Sequence, residues 1–460
     1  MNVETKLLKV ISEQFNEDVA DIQLTDGPGD LDAWDSIGQL QLIVKVEKEF
    51  NIKLSVDDVV SIDDISDMIS LIENKIEELP TTEAEISKPV VDYFEIRLNK
   101  HLLIGHGGIG ELYSIYNINR LFILVGNLKS NKAESLLRDI NISGEIEIFE
   151  KKGGEPTEKE ISRIAKQLKA FQPDFVLAIG GGSVMDSAKL AWALYENDVE
   201  SIDSLHSDGM VLNAKARLGV LPTLFGSGSE ISSAAAYSKD NSMGKSIVVN
   251  HDFIPEFVNL DYSQVLTAPE EIIFFSAFDA LTHAIEGYCS IVPNFVMKNL
   301  AIRSIKLILM SLKSTNRIKD KEVLESILIG SYWAGQVQNH CSVGLSHSIA
   351  HQLEKYQISH GKANSLALVD VLRLNSTKTS IINDLAHDLG FIDSDHFISN
   401  IEKIIEDSGF NISVKSDEWN LDSIVEGAMK DVTFRTNPVV LEASDVRQVL
   451  MSIINRYEEK

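Results

Sequence analysis

Apolar positions in the first 78 residues recur at helical spacing. The stretch from Val3 to about Gln14 is amphipathic, and Ile37 to Phe50 places apolar residues at 37, 40, 43, 44, 46 and 50, the stripe of a second helix. Asp63 to Glu77 predicts a third. Pro80-Thr-Thr-Glu-Ala-Glu-Ile-Ser-Lys-Pro89 is polar and bracketed by prolines, and it reads as the body of a linker over residues 79–91. From about 92 to 263 the pattern changes. Leu121–Val125 and Phe175–Ile179 are continuous apolar runs, as strands buried on both faces require. Between them, Thr157-Glu-Lys-Glu160 is a capping box opening a helix to about Ala170. The alternation predicts an α/β domain with helices on a mostly parallel sheet. From 264 to 460 strand-like runs largely disappear, and long helical patterns such as Ala277–Tyr288, Val296–Leu312 and Lys321–Val337 predict an all-α domain. The expected fold is therefore multidomain: small all-α (1–78), α/β (92–263), all-α (264–460).

Charge sharpens this division. The 460 residues carry a formal net charge of −27, which argues against nucleic acid or an anionic membrane as partner. Residues 1–80 hold 6 Lys/Arg against 19 Asp/Glu, so about half the excess sits in a separate acidic module suited to basic partner surfaces. No stretch reaches the ~18–20 apolar residues of a membrane span. The N-terminus lacks the basic-then-apolar layout of a signal peptide. Two cysteines, Cys289 and Cys341, make no disulfide framework, and the expected compartment is a reducing cytoplasm.

The second half of the chain holds the strongest chemistry. Asp279 and His283 are four apart, on one face of a predicted helix. Alone they are as consistent with an exposed ion pair. With His347 and His360 they make one carboxylate and three imidazoles, a set suited to Fe²⁺ or Zn²⁺ with a position open to substrate. An open metal site is a Lewis acid, which points to an enzyme. Three glycine-rich stretches compete for a nucleotide. Gly105-His-Gly107-Gly-Ile-Gly110 matches a dinucleotide fingerprint but follows no apolar strand of normal length. Gly180-Gly181-Gly182-Ser183 follows Phe175–Ile179 directly and opens a helix, so a diphosphate can approach its backbone and free N–H groups. Pro222-Thr223-Leu-Phe-Gly226-Ser-Gly228-Ser229-Glu230 is a second loop of this kind. Two such loops in one α/β domain favour a dinucleotide.

Taken together these motifs resemble known families. Gly-Gly-Gly-Ser-x-x-Asp-x-Ala-Lys, Pro-Thr-x-x-Gly-Ser-Gly-Ser-Glu, Asp-Ala-Leu-Thr-His-Ala-Ile-Glu and His-x3-His…His-Gly occur in order between about Phe94 and Tyr457, and they resemble the iron-dependent (group III) alcohol dehydrogenases. The resemblance implies a Rossmann-like NAD(P) domain and a helical metal domain. It places Gly181, Gly182 and Ser183 at the pyrophosphate and Asp186 near the nicotinamide end. Thr223, Leu224 and Ser229 would line the adenine and ribose side, and Lys245 would lie near the cofactor. Asp279, His283, His347 and His360 would ligate the metal, and His351 would be the additional catalytic histidine. Residues 1–78, with Trp34-Asp35-Ser36-Ile37 at a helix start, resemble a four-helix acyl carrier protein. That implies 4′-phosphopantetheine on Ser36, a phosphopantetheinyl transferase and acyl-loading enzymes as partners. Capping of a helix by Asp35 or Ser36 is the plainer alternative. The dehydrogenases often form homodimers.

Three departures from the dehydrogenase pattern bear on specificity. Asn127 stands where an aspartate would grip the adenosine 2′-hydroxyl, so with Lys129 or Lys132 nearby NADP fits at least as well as NAD. Glu155-Pro-Thr157 replaces Asn-Pro-Thr. His351-Gln-Leu-Glu354 replaces His-Pro-Leu-Gly, with a run to His360 one residue shorter. The expected reaction is hydride transfer between nicotinamide and a carbonyl or alcohol, on a substrate carried by or released from the Ser36 arm. Two alternatives stay open: a carrier that serves other enzymes while the dehydrogenase takes a free small aldehyde, and a lyase resembling dehydroquinate synthase.

Overall fold

In the N-terminal unit the helical stripes close on one another. The protein's structure is a computed structural model that describes residues 3–15, 17–31, 34, 36–50, 52, 54, 62, 64–78, 95–126, 140, 144–206, 210, 212, 214–239, 245–292, 294–313 and 317–458. The chain divides into two compact units, Met1–Phe94 and Glu95–Lys460. In the first, Val3–Phe15 (α1), Ser36–Phe50 (α2) and Ile65–Glu78 (α3) are helices. Leu7, Ile11 and Phe15, four apart on α1, meet Leu42, Ile43 and Val46 of α2 and Ile65, Met68 and Ile72 of α3 in one core. The buried Trp34 stacks on Phe15 with ring centroids 5.1 Å apart. Leu42 lies off the expected stripe of α2 and is nonetheless fully buried. Ser36 is the first residue of α2. Asp35, the side chains of Ser36, Ile37, Leu40 and Val44, the segment 55–61 where a fourth helix would fall, and the linker 79–91 lie outside the described residues.

The second unit begins with a six-stranded, wholly parallel sheet. Its strands are His101–Ile104 (β1), Arg120–Val125 (β2), Glu145–Glu150 (β3), Phe175–Gly180 (β4), Arg217–Pro222 (β5) and Phe257–Leu260 (β8), in the order β1-β8-β5-β4-β2-β3. Ala234–Ser238 (β6) and Lys245–Val249 (β7) form a separate antiparallel pair. β4 is buried at every position, as its unbroken apolar run requires. Edge strand β3, Glu-Ile-Glu-Ile-Phe-Glu, alternates and is partly exposed. Glu158–Phe171 (α4) and Gly182–Glu196 (α5) pack on the sheet. The Thr157 hydroxyl accepts the Glu160 N–H at 3.3 Å, one arm of the expected capping box.

The remainder is helical. Glu270–Cys289 (α6), Phe295–Leu312 (α7) and Lys321–Cys341 (α8) share one apolar core. Leu345–Leu353 (α9), His360–Ser376 (α10), Leu421–Lys430 (α11) and Ala443–Tyr457 (α12) share another. α6 is apolar on nearly all sides and therefore runs through the interior. Its polar residues Asp279, His283 and Glu286 are carried into the interior with it. Among the described residues, no helix is long and apolar enough to cross a membrane.

Candidate metal and dinucleotide site

Three of the four expected metal ligands converge. One oxygen of Asp279 and one ring nitrogen each of His347 and His360 lie within 4.8 Å of one another. Asp279 Oδ1 is 3.3 Å from His360 Nε2 and 3.7 Å from His347 Nε2. The fourth, His283, is adjacent. Its ring stacks on His347, centroids 4.3 Å apart and planes at 23°, and neither of its nitrogens joins that close group. A helix face brings Asp279 and His283 to the same side, but the second torsion of each ring decides where its nitrogens aim.

Each of the other histidines is held by its own carboxylate. His347 Nδ1 is 2.7 Å from Glu286 Oε2, His360 Nδ1 is 2.6 Å from Glu354 Oε1, and His351 Nδ1 is 2.8 Å from Asp431 Oδ2. Glu286 also accepts the Gly344 and Ser346 N–H groups, at 2.8 and 2.6 Å. A carboxylate at Nδ1 fixes the tautomer and leaves the Nε2 lone pair for an ion. Asn364 Nδ2 donates to Asp279 Oδ1 at 2.7 Å. His283 lies beside the Gly226 carbonyl. His283 Nδ1 and His347 Nε2 are buried and make no hydrogen bond of good geometry among the described residues. Burial favours protonation of Asp279, but His360, His283 and His347 outweigh it and hold the carboxyl below the usual range. Burial, then His347, pushes His283 down to about 3. His347 is pulled down by burial, yet Asp279 and Glu286 lift it to about 9, so a proton and an ion compete for its Nε2. A largely enclosed cluster with an ionised carboxylate and converging Nε2 atoms fits a divalent iron or zinc ion.

Sequence reasoning missed these supports. Glu286 was within reach, three residues beyond His283 on the same face of α6. Asn364 stands four beyond His360, whereas Asp431 is 80 residues from His351 and left no sequence signal. Gly361 went unremarked as well. A Cβ there would lie 2.3 Å from the Phe275 carbonyl oxygen, so only glycine lets α10 begin against α6 with His360 over Asp279.

The dinucleotide residues gather at the carboxyl ends of β2 and β4, where an open parallel sheet binds its ligand. Gly126, Lys151, Lys152, Gly153, Gly154, Gly181, Ser183 and Thr223 line one cleft. Gly181 caps α5 without a side-chain bond, so the first N–H groups of the helix have no side-chain acceptor at the cap. The Ser183 hydroxyl donates to Gly154 O at 2.6 Å and Thr223 N–H to Gly180 O at 3.0 Å, tying three loops together. Gly182 packs against Ser227, and Leu224 faces Gly181. Ser229 donates to Asp186 Oδ1 at 2.6 Å, so the two sit together and not at opposite ends of the cofactor as expected. Gly226 has φ +109°, and a Cβ there would lie 2.6 Å from the Ser276 carbonyl, which brings this loop against α6. Lys245 opens β7, with its side chain outside the described residues, as is all of Asn127, Lys129 and Lys132. The Gly105–Gly110 stretch follows β1, at the sheet edge remote from this cleft.

A parallel sheet with a glycine-lined cleft at its carboxyl end, in one unit with a carboxylate–imidazole cluster, is the arrangement expected of a nucleotide- and metal-dependent dehydrogenase. Residues 99–262 match the iron-containing alcohol dehydrogenase description and residues 274–454 the C-terminal domain of the same family, while residues 5–72 match a phosphopantetheine attachment site. The chain belongs to the iron-containing alcohol dehydrogenase family and carries an N-terminal phosphopantetheine carrier domain. That family uses NAD(P) and Fe²⁺. The chain is 30% identical over 243 residues to an aldehyde-alcohol dehydrogenase of Streptococcus pneumoniae, covering 50% of this chain and 28% of that one. The first curated relatives it matches are thus more than three times longer than the shared segment. It is 27% identical over 379 residues to a 1-propanol dehydrogenase of Salmonella typhimurium, covering 78% and 99%. The fold is that of a sulfoacetaldehyde reductase from Bifidobacterium kashiwanohense solved with NAD⁺ (TM-score 0.72, 21% identity, 78% and 98% covered).

Proposed function

We propose that this protein is a metal-dependent, NAD(P)-linked alcohol dehydrogenase or aldehyde/ketone reductase whose substrate is carried on, or released from, its own Ser36 phosphopantetheine arm. The observation that carries the reading is the close group of Asp279, His347 and His360, with both imidazoles oriented by carboxylates. A bound divalent ion supplies Lewis acidity to the carbonyl oxygen, and the nicotinamide supplies or accepts the hydride. Asp279, His347 and His360, with His283 as fourth donor, hold the ion. Gly181, Gly182 and Ser183 hold the diphosphate. His351, 30% exposed and fixed at Nδ1 by Asp431, exchanges the alcohol proton with solvent at Nε2. A tether of the linker's length gives the arm an effective concentration on the order of millimolar at the cleft of its own or a neighbouring copy. The test is a nicotinamide-absorbance assay on phosphopantetheinylated, metal-loaded protein. One equivalent of NAD(P)H consumed per carbonyl reduced is expected. Turnover without net change in absorbance would reject hydride transfer to product and favour a lyase that uses NAD transiently.

NADP(H) is the proposed cofactor, and Lys152 supports it. This lysine is exposed and lines the cleft beside Gly126, at the ends of neighbouring strands β3 and β2. Lys151 is buried, with its ammonium on Glu160 and the Lys152 and Gly154 carbonyls. Among the described residues the Lys152 ammonium has no ionic partner, which leaves it for a 2′-phosphate. Lys152→Ala is expected to weaken 2′,5′-ADP binding about tenfold in calorimetry, leaving 5′-ADP unchanged. Equal losses for both nucleotides would remove Lys152 as the discriminating group.

A further inference from the structure

The turn that joins α9 to α10 does more than connect them. Glu354–Tyr356 is one turn of 3₁₀ helix, Gln357 follows at φ +61°, and His360 then opens α10. Of the three grouped ligands, His360 is the least enclosed. Its side chain is 29% exposed, against 2% for His347 and 8% for Asp279. Core packing and the anchored Glu286 leave His347 no freedom. His360 stands at a helix start beside a loop, where an imidazole on two rotatable bonds has several orientations open to it.

We infer that Glu354 is a positioning residue that locks His360 into the ion-binding orientation and so governs how long the protein retains its metal. This rests on the metal-site reading above. Glu354 Oε1 lies 2.6 Å from His360 Nδ1. A carboxylate accepts at that nitrogen, so the proton sits on Nδ1 and the lone pair on Nε2. That Nε2 lies 3.3 Å from Asp279 Oδ1 and 3.3 Å from the Asn364 amide, which places it in the ligand cluster. The bond joins residues six apart in the chain and lies in the segment that differs in length from the dehydrogenase pattern. Glu354 acts in two ways: its acceptor oxygen sets the ring's angle, and its charge strengthens the imidazole as a donor.

Substitution separates these effects. Glu354→Gln keeps an acceptor oxygen without the charge, and Glu354→Ala removes both. The experiment uses the full chain loaded with zinc and follows release to a chromogenic chelator. The absorption spectrum of cobalt-substituted protein serves as a second readout. E354A is expected to release zinc at least tenfold faster, within the ~10–100-fold range for carboxylates behind a ligand, and to shift the cobalt spectrum. E354Q is expected to stay within about threefold of the parent rate, since the hydrogen bond survives. Glu354→Ser, too short to reach the ring, gives the same reading should the alanine protein not fold. Release from E354A or E354S at the parent rate with an unchanged cobalt spectrum would overturn the inference. His360→Ala keeps the two levels apart: fast release from H360A beside slow release from E354A rejects only the role of Glu354, whereas slow release from H360A rejects the metal site itself.

Discussion

Asp279→Asn is expected to lower kcat/KM for carbonyl reduction by about three orders of magnitude, ~4 kcal/mol of transition-state stabilisation, and to leave the purified protein short of metal. The size follows from the site. Asp279 supplies the anionic oxygen around which His347 and His360 are grouped, and it is ionised because the imidazoles beside it, His360 first, outweigh its burial. The asparagine side chain is nearly isosteric and retains an oxygen toward Asn364, so the loss reads charge and ligation more than packing. Metal content by mass spectrometry and kcat/KM together check it. A variant that kept stoichiometric iron or zinc and lost less than about tenfold in rate would show that catalysis does not depend on this cluster.

Ser36→Ala is expected to abolish the mass gain that a phosphopantetheinyl transferase confers on the parent chain, read by intact-protein mass spectrometry. With it should go turnover of an arm-bound carbonyl, while reduction of a free aldehyde stays within about twofold. The contrast follows from tethering: at ~10 µM free substrate, an arm that holds its cargo near millimolar concentration favours the tethered route by about a hundredfold. Two results count against this. Undiminished processing of the pathway's substrate by S36A would mean that the carrier serves other enzymes. A transferase-treated parent with no mass gain would leave Ser36 as a helix-start residue only.

What could be read in the chain depended on how local the determinant was. β2 and β4 announced themselves because a central parallel strand carries an unbroken apolar run, here Leu121–Val125 and Phe175–Ile179. The glycine turn after β4 did so because a strand, three glycines and a helix are consecutive. β3 was hidden because an edge strand alternates polar and apolar residues and resembles exposed chain. Asp279, His347 and His360 were legible as a set, but the stacking of His283 on His347 was not, since residue spacing places a side chain on a face and leaves its ring torsion open. Glu354 showed only as an oddity in the run after His351, and Asp431 not at all. Their meaning lies in pairings that the tertiary fold makes between different elements. The off-stripe burial of Leu42 has the same origin: three packed helices cover more of α2 than a single face.

Gly226 has a practical corollary. Because a side chain at Gly226 would strike the Ser276 carbonyl, one turn before Asp279 on the same helix, the spacing between the glycine loop and α6 is a backbone dimension that ordinary side-chain exchange cannot widen. Engineering of this scaffold should therefore leave that seam alone and place its substitutions elsewhere.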